Sequence, residues 1–320
     1  MNVLVTGAGG MVGSHLVEAL CARGDAVTGV WHKNKKNVEQ VTAPVRFVQC
    51  DLRYGQGLED LIMDTLPEEI YHLAAQSYPT VSWVSPMETI DVNVNGTVAV
   101  YEAVKKARKY CRAEYDPMVV VACSSAEYGQ TLNELEDPFV RETAELKPLH
   151  PYGVSKVGQD LLSFQYFMND GIRCIRARIF NSTGTRKVND VTSDFTRRAA
   201  EAERTGVWEL RCGNLQTKRA IMDQRDLVRA LMLLARKGTP GEVYNVSSEQ
   251  IYRMEDIVRM IEARLGHSLV RKTDPALMRP TDERIIVGNI EKLKAATGWK
   301  QEIPMEQTIA DMLDYWKNHL

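Results

Sequence analysis

The 320-residue sequence contains no Cys-x-x-Cys pair, and its six cysteines (Cys21, Cys50, Cys111, Cys123, Cys174 and Cys212) fall at no metal-ligand spacing. That pattern argues against a zinc ribbon or a disulfide framework and for reduced thiols. No apolar run approaches the roughly 20 residues needed to cross a bilayer. The start, Val3-Leu4-Val5, meets glycines at once, which is unlike a secretory leader. Neither sign of charge dominates: 40 basic against 42 acidic residues leave a net charge of -2. Nucleic acid and anionic membranes are therefore not expected as partners. Arg197, Arg198 and Arg204 lie at helical spacings around Phe195 and read as a solvated helix face. No His/Asp/Glu cluster suggests a metal, and His72, inside an apolar strand, reads as a packed side chain. Internal repeats and low-complexity segments are absent too. The expectation is a soluble, cytoplasmic protein.

Hydrophobic residues make up 44% and charged ones 26%, an ordinary globular balance over a length ample for a large core. Apolar stretches of strand length recur at 3–6, 26–31, 45–50, 69–75, 117–123 and 174–180, and a last one at 243–246. Helical patterns separate them at 13–23, 57–66, 87–109 and 152–170. This alternation predicts an α/β fold with a doubly wound parallel sheet of the Rossmann type, covered on both faces. After Asn181 the chain turns more polar and irregular, with further helices expected at 253–265 and 305–318. The expected division is a nucleotide-binding domain of 1–180 with about 223–249. A smaller, interleaved α/β substrate domain takes about 181–222 and 250–320.

Two stretches carry chemistry. Gly7, Gly10 and Gly13 follow a strand and open a helix in a G-x-x-G-x-x-G spacing. Such glycines let backbone approach a pyrophosphate, which then rests on the helix N-terminus beside Met11 and Val12. A dinucleotide there also touches the ends of neighbouring strands, at Asp51-Leu52 and Ala74-Ala75. An acid at the end of the second strand would bind the ribose 2′-hydroxyl of NAD, yet 26–37 holds no Asp or Glu. Lys33, Lys35 and Lys36 stand there instead, so NADP(H) is expected, with NAD(H) as the alternative. The second stretch is Tyr152-Gly-Val-Ser-Lys156, which sets a phenol and an ammonium one helical turn apart. Tyr152 can donate a proton to a carbonyl receiving hydride if its pKa falls well below about 10. Lys156 would stabilise the phenolate and bond the nicotinamide ribose, and Ser124, after the fifth strand, would hold the carbonyl oxygen.

With these motifs the chain resembles, over essentially its whole length, the extended short-chain dehydrogenases/reductases that act on nucleotide sugars. The resemblance rests on Leu73–Ser77, Asp91–Thr97, Ser124–Gly129, Pro151–Lys156 and Arg178–Gly184. Val191–Phe195 and Gly213–Arg219 are similar to the GDP-mannose branch, which holds 4,6-dehydratases and 4-keto-6-deoxy reductases. Met278–Thr281 and Thr297–Lys300 resemble the reductases. The resemblance implies a GDP-sugar substrate and adds Asn93 and Ile179 to the cofactor site. For the substrate it implies Gln76, Ser125, Asn181, Val191 and Asn214, with Arg219 and Arg279 on the diphosphate, where a guanidinium binds bidentately. Where relatives carry Arg-Asp, this chain reads Arg219-Ala220. Gln76, Ser77 and Tyr78 line the hexose or form a structural turn. A homodimer is implied as well, its helices 87–109 and 152–170 packing as a four-helix bundle.

Within that branch the chemistries differ in one demand. A 4,6-dehydratase needs a carboxylate near C5 and C6 of the sugar, and in the dehydratases a Glu sits two residues after the catalytic Ser/Thr. Here that residue is Ala126, and Glu127, if the turn is extended, points elsewhere. A reductase needs only hydride delivery and one proton. The reading is therefore a reductase of a 4-keto-6-deoxy nucleotide sugar. The 4,6-dehydratase, a 4-epimerase and a non-catalytic NADP-sensing protein are the alternatives.

Overall fold

In the computed structural model, which describes residues 1–277 and 285–320, β1 (Asn2–Thr6) is buried from Val3 onward. It pairs in parallel with β2 (Ala26–Trp31) on one side and β4 (Glu69–His72) on the other. Beyond β2 lies β3 (Arg46–Gln49). Beyond β4 come β5 (Met118–Ser124), β7 (Cys174–Ile179) and β11 (Val243–Val246). The spatial order is β11-β7-β5-β4-β1-β2-β3, and every pairing is parallel. Strands buried on both faces need no polar alternation, which is why they read as near-continuous apolar runs.

Helices cover the two faces. On one face α1 (Met11–Ala22) and α9 (Gln224–Lys237) bury Leu16, Val17, Leu20, Leu227, Leu231 and Leu234 against the sheet. On the other, α2 (Gln56–Thr65), α5 (Gly96–Tyr110) and α7 (Pro151–Asp170) contribute Leu58, Ile62, Val100, Val104 and Tyr166. The helix expected over 87–109 is interrupted. Two short pieces, α3 (Pro79–Val84) and α4 (Pro86–Ile90), lead into a π-helical turn at Asp91–Asn95 before α5 begins. A π turn swells the helix by one residue and redirects the side chains it carries. Here it brings Asn93 into the protein.

The remaining strands form a second, mixed sheet. β10 (Lys218–Asp223) pairs antiparallel with β12 (Ile251–Arg253), and parallel with β8 (Asn181–Thr183) and β14 (Ile285–Gly288). Past β14 sits β6 (Phe139–Val140), which follows the short helix α6 (Thr131–Glu134). Helices α8 (Val191–Thr205), α10 (Met254–Leu265) and α12 (Met305–Lys317) pack Phe195, Ile257, Ile261, Ile309 and Leu313 into a separate core. A two-stranded ladder of β9 (Glu209–Cys212) and β13 (Val270–Thr273) flanks them. On α8, Arg197 and Arg198 pair with Asp194 on the helix surface.

Two segments depart from the expected division. β6 lies within 1–180 yet joins the second sheet, because its only strand partner among the described residues is β14. Conversely α11 (Glu291–Thr297), with Ile290 before it and Trp299 after it, falls within 250–320. Ile290, Leu293 and Trp299 nevertheless pack into the α1/α9 core of the large sheet. The Trp299 indole N–H donates to the Asp226 carbonyl at 3.0 Å, which fixes the segment on α9. Among the described residues no helix is long and apolar enough to cross a membrane. Trp299→Ala is expected to destabilise the protein by about 3–5 kcal/mol, the range for truncating a buried aromatic. Urea unfolding followed by circular dichroism measures it.

Candidate active site

The carboxyl ends of β1, β4, β5 and β7 converge, and the motif residues stand there. Gly7 has φ +74°, and a Cβ on it would come within 2.7 Å of the Ala74 amide nitrogen. A Cβ on Gly13 would sit 2.2 Å from the Gly7 carbonyl oxygen. Only glycine lets the turn after β1 fold under the loop after β4 and lets α1 start so close to it. Gly10, the N-cap of α1, supplies no side-chain cap, and no acid occupies the first helical turn. The first-turn amides, including those of Met11 and Val12, are thus left for an anion at the positive end of the helix. A dinucleotide pyrophosphate fits this cradle.

The flanks of the cradle are more committed than the sequence suggests. Lys33, exposed, pairs with Glu88 at 3.1 Å, and Lys35 pairs with Glu39 at 2.9 Å. Asp51 caps a short turn through the Arg53 amide and is held by the Arg53 guanidinium, which keeps its carboxyl below the usual range. His32 approaches the same carboxylate at 3.3 Å. Leu52 is buried beside it, while Ala74 and Ala75 are half-buried. The Ala74 amide donates to Thr6 Oγ1, which also contacts His72 Nδ1 at 2.9 Å. The other His72 nitrogen meets Thr97 Oγ1 at 3.0 Å, and burial pushes this imidazole down to about 3.

Asn93 was expected at the cofactor, but its side chain is spent on the protein. Its Oδ1 accepts the Gln76 N–H at 2.7 Å, and its Nδ2 donates to the Gln76 carbonyl and to Ser155 Oγ. The π turn is what aims it there. The Gln76 amide closes a local turn through Tyr78 and Thr89, so of the two readings of Gln76–Tyr78 the structural turn describes this side chain.

The reacting groups come from β5 and α7. Ser124 ends β5 and begins a 3-10 turn, Ser125–Glu127, with its Oγ accepting the Ala126 N–H at 3.1 Å. In the parallel β5/β7 register it stands opposite Ile179. Helix α7 opens at Pro151 under a His150 cap whose Nδ1 accepts the Gly153 N–H. A Cβ on Gly153 would lie 2.6 Å from the Ala126 carbonyl oxygen, so this glycine admits the serine's turn against the helix. Tyr152, on the same first turn, faces the Ser124 side chain, which acts to lower its pKa.

One helical turn on, the buried Lys156 places its Nζ 5.7 Å from the Tyr152 ring centroid. The ammonium donates to the Ala122 carbonyl at 2.8 Å and to Gln159 Oε1 at 2.6 Å. Burial lowers its pKa to about 8. Tyr152 departs from the expectation: burial pushes the phenol up to about 12, against the opposing pull of its Ser124 contact. The phenol is therefore protonated at neutral pH, the state a proton donor requires.

Glu127 is the acid nearest this centre in the chain. The expected extended turn is a 3-10 turn, which buries its side chain completely. Its Oε1 accepts the Ser124 N–H at 2.7 Å, and its Oε2 lies 3.1 Å from Arg178 Nε. Burial and the Asp160 carboxylate push the Glu127 carboxyl well above the ordinary range. Gln159, Asp160 and Arg178 were not singled out from the sequence, and Glu127 was read only as an acid pointing away. The available signals were charged residues inside an apolar strand, and Asp160 and Gln159 at helical spacings from Lys156.

The substrate candidates fall on or beside the second sheet. Asn181 begins β8 opposite Ile221, and its buried Nδ2 has no hydrogen-bond partner among the described residues. A buried amide in that state implies a ligand acceptor. Arg219 lies buried on β10 between β12 and β14, one Nη1 donating to the Lys218 carbonyl. Val191 is the exposed first residue of α8. Asn214 is not at a strand end but in the turn after β9, where its Oδ1 is taken by the Gln216 N–H. Ser125 is half-buried at the start of the 3-10 turn. Arg279 lies outside the described residues.

Cys123, Glu127 and Asp160 offer ligand atoms within 4.8 Å of one another. The Arg178 guanidinium already supplies the positive charge at these carboxylates.

Known proteins resemble this chain in sequence and fold. GDP-6-deoxy-D-mannose reductase of Pseudomonas aeruginosa is 28% identical over 321 residues, covering 100% of this chain and 98% of its own. GDP-mannose 4,6-dehydratase of Yersinia enterocolitica is 27% identical, covering 98% and 92%. Among solved structures, that of RMD from Pseudomonas aeruginosa complexed with NADPH superimposes with a TM-score of 0.83 at 27% identity, over 100% and 99% of the two chains. The Thermus thermophilus UDP-glucose 4-epimerase complex with NAD gives 0.86 at 25%, over 100% of each. The family model for GDP-mannose 4,6 dehydratase matches residues 4–312. The chain belongs to this family and is an NAD(P)-dependent nucleotide-sugar enzyme of the extended short-chain dehydrogenase/reductase type.

Proposed function

We propose that the chain is an NADPH-dependent reductase of a GDP-linked 4-keto-6-deoxy sugar. The observation that carries this reading is the fate of the acid beside Ser124. Glu127 is turned into the protein onto the Ser124 amide and Arg178, and Ala126 stands where the dehydratases carry their Glu. The serine's turn thus offers the sugar no carboxylate for C5 deprotonation. Carbonyl reduction needs none.

The nicotinamide, when bound, supplies hydride to C4. As charge grows on the C4 oxygen, Ser124 holds it and Tyr152 gives up its phenolic proton. The Lys156 ammonium beneath the ring stabilises the phenolate left behind. Residues of the glycine turn would hold the pyrophosphate. The lysines after β2 support NADP(H) over NAD(H): their surface pairs with Glu88 and Glu39 are weak and can yield to a 2′-phosphate. The nucleotide sugar would lie between the large sheet and the second one, with Asn181 and Arg219 toward its diphosphate. Six free thiols are compatible with a cytoplasmic setting.

A homodimer through α5 and α7 fits the surface. Val154, Leu161, Phe164 and Met168 are exposed along α7 at near-heptad spacing, an apolar stripe that a monomer has no reason to keep. Leu161→Glu is expected to shift the protein from dimer to monomer in sedimentation velocity.

Mixed with GDP-4-keto-6-deoxy-mannose, the protein should consume NADPH, while GDP-mannose with NADP+ should yield no keto-sugar. Tyr152→Phe should lower kcat by about 100-fold or more while NADPH binding persists. Keto-sugar from GDP-mannose would replace this reading with the dehydratase. The pH profile carries its own sign. Lys156 is cationic below about 8 and neutral above it, so kcat should fall as pH rises through that value, with no matching loss on the acid side from this group.

A further inference from the structure

Behind Ser124, Tyr152 and Lys156 lies a second layer of charge that the proposed reaction does not touch. Arg176 and Arg178, on β7, are both buried. Asp160, fully buried on α7, accepts from both, its Oδ2 taking the Arg178 Nε–H at 2.8 Å. Arg178 also donates to the Tyr128 hydroxyl and the Glu142 carbonyl, each at 3.0 Å. The Tyr128 hydroxyl donates in turn to Asn245 at 2.7 Å. Glu127 joins this layer through Oε2, beside the Arg178 Nε, and reaches the reacting layer through Oε1, on the Ser124 amide.

Glu127 therefore holds both ends of a short span. Within the 3-10 turn, Ser124 Oγ accepts the Ala126 N–H while Glu127 accepts the Ser124 N–H, a reciprocal capping box at the end of β5. A capping box fixes the residue that opens it, and here that residue carries the hydroxyl facing Tyr152. Asp160 is one helical turn beyond Lys156, so the ion layer and the reacting ammonium share a helix. The carboxylate oxygens and the Cys123 sulfur meet at metal-like distances, but the guanidinium occupies the cationic role. The cluster is a mechanical link.

Resting on the reductase reading, we infer that Glu127 is a positioning residue. Its carboxyl, set beside the Arg178 guanidinium, fixes the Ser124 amide and so aligns the Ser124 hydroxyl with Tyr152 over the substrate carbonyl. Displacements of an ångström in such alignment cost up to about 100-fold in rate, and a hydrogen bond from a buried polar group is costly to leave unmade. The link involves reach rather than charge, since a carboxamide oxygen of the same length accepts the same N–H.

Two substitutions separate these properties. Glu127→Gln keeps the reach and loses the titratable carboxyl; Glu127→Asp keeps the carboxyl and loses one methylene of reach. In the NADPH-oxidation assay E127Q is expected to retain kcat within roughly threefold of wild type, and E127D to lose about tenfold or more. Both should bind NADPH with unchanged affinity, followed by nucleotide fluorescence. A role in stability alone would lower Tm and leave kcat per folded molecule unaltered. Any outcome in which E127Q fails to exceed E127D by about threefold in kcat overturns the inference. Should wild type turn over no 4-keto sugar, the reductase reading fails separately. Hydrogen exchange at the Ser124 amide then decides the inference: protected in wild type and E127Q, open in E127D, against equal protection in all three.

Discussion

Two arginines on one interior strand must be neutralised where water cannot reach them. Leaving either uncompensated would cost several kcal/mol, so Arg176 and Arg178 of β7 dictate much of what surrounds them. Asp160 answers both, and it can do so only if α7 lies across β5 and β7 in one axial position. That position places Lys156 under the Ala122 carbonyl and Tyr152 beside Ser124. The reacting triad is therefore located by charge compensation from beneath, as well as by the apolar contacts of Tyr166 and its neighbours.

The parts of this arrangement that were legible in the sequence are those encoded locally. Buried parallel strands announce themselves as apolar runs, and the glycines of the first turn are spaced closely because each answers a contact within a few residues or at the adjacent strand end. Tyr152 and Lys156 are read from a spacing on one helix. What escaped is what depends on partners far along the chain. Glu127 meets Arg178 across fifty residues, and only the tight turn at Ser124 turns it inward. Asn93, which the resemblance puts at the cofactor, sits on a π turn and bonds Gln76 and Ser155. The expected division into two units did not foresee the segments that cross over: β6 into the second sheet, and the Ile290–Trp299 stretch into the first core.

The substrate side was recognisable by residue type and less by position. Asn181 arrives at the site because β8 starts one residue after β7 ends, so the chain passes from the large sheet to the small one at the reacting centre itself. Its unpartnered amide contrasts with Asn214 and Gln76, whose polar atoms are satisfied by nearby backbone. The distinction needs coordinates, because all three are polar residues in loop-like contexts.

The crossing of residues 290–299 onto α1 and α9 has a bearing on biosynthesis. The core beneath the glycine turn includes Leu16 and Val17 from the first helix and Leu293 and Trp299 from near the carboxyl end. During translation that face stays open until Trp299 has emerged from the ribosome tunnel. The opposite face, built from α2, α5 and α7, can close much earlier. The nascent chain thus carries a sheet with one face incomplete until residue 299 has emerged, and the dinucleotide cradle waits for that segment to complete its supporting core.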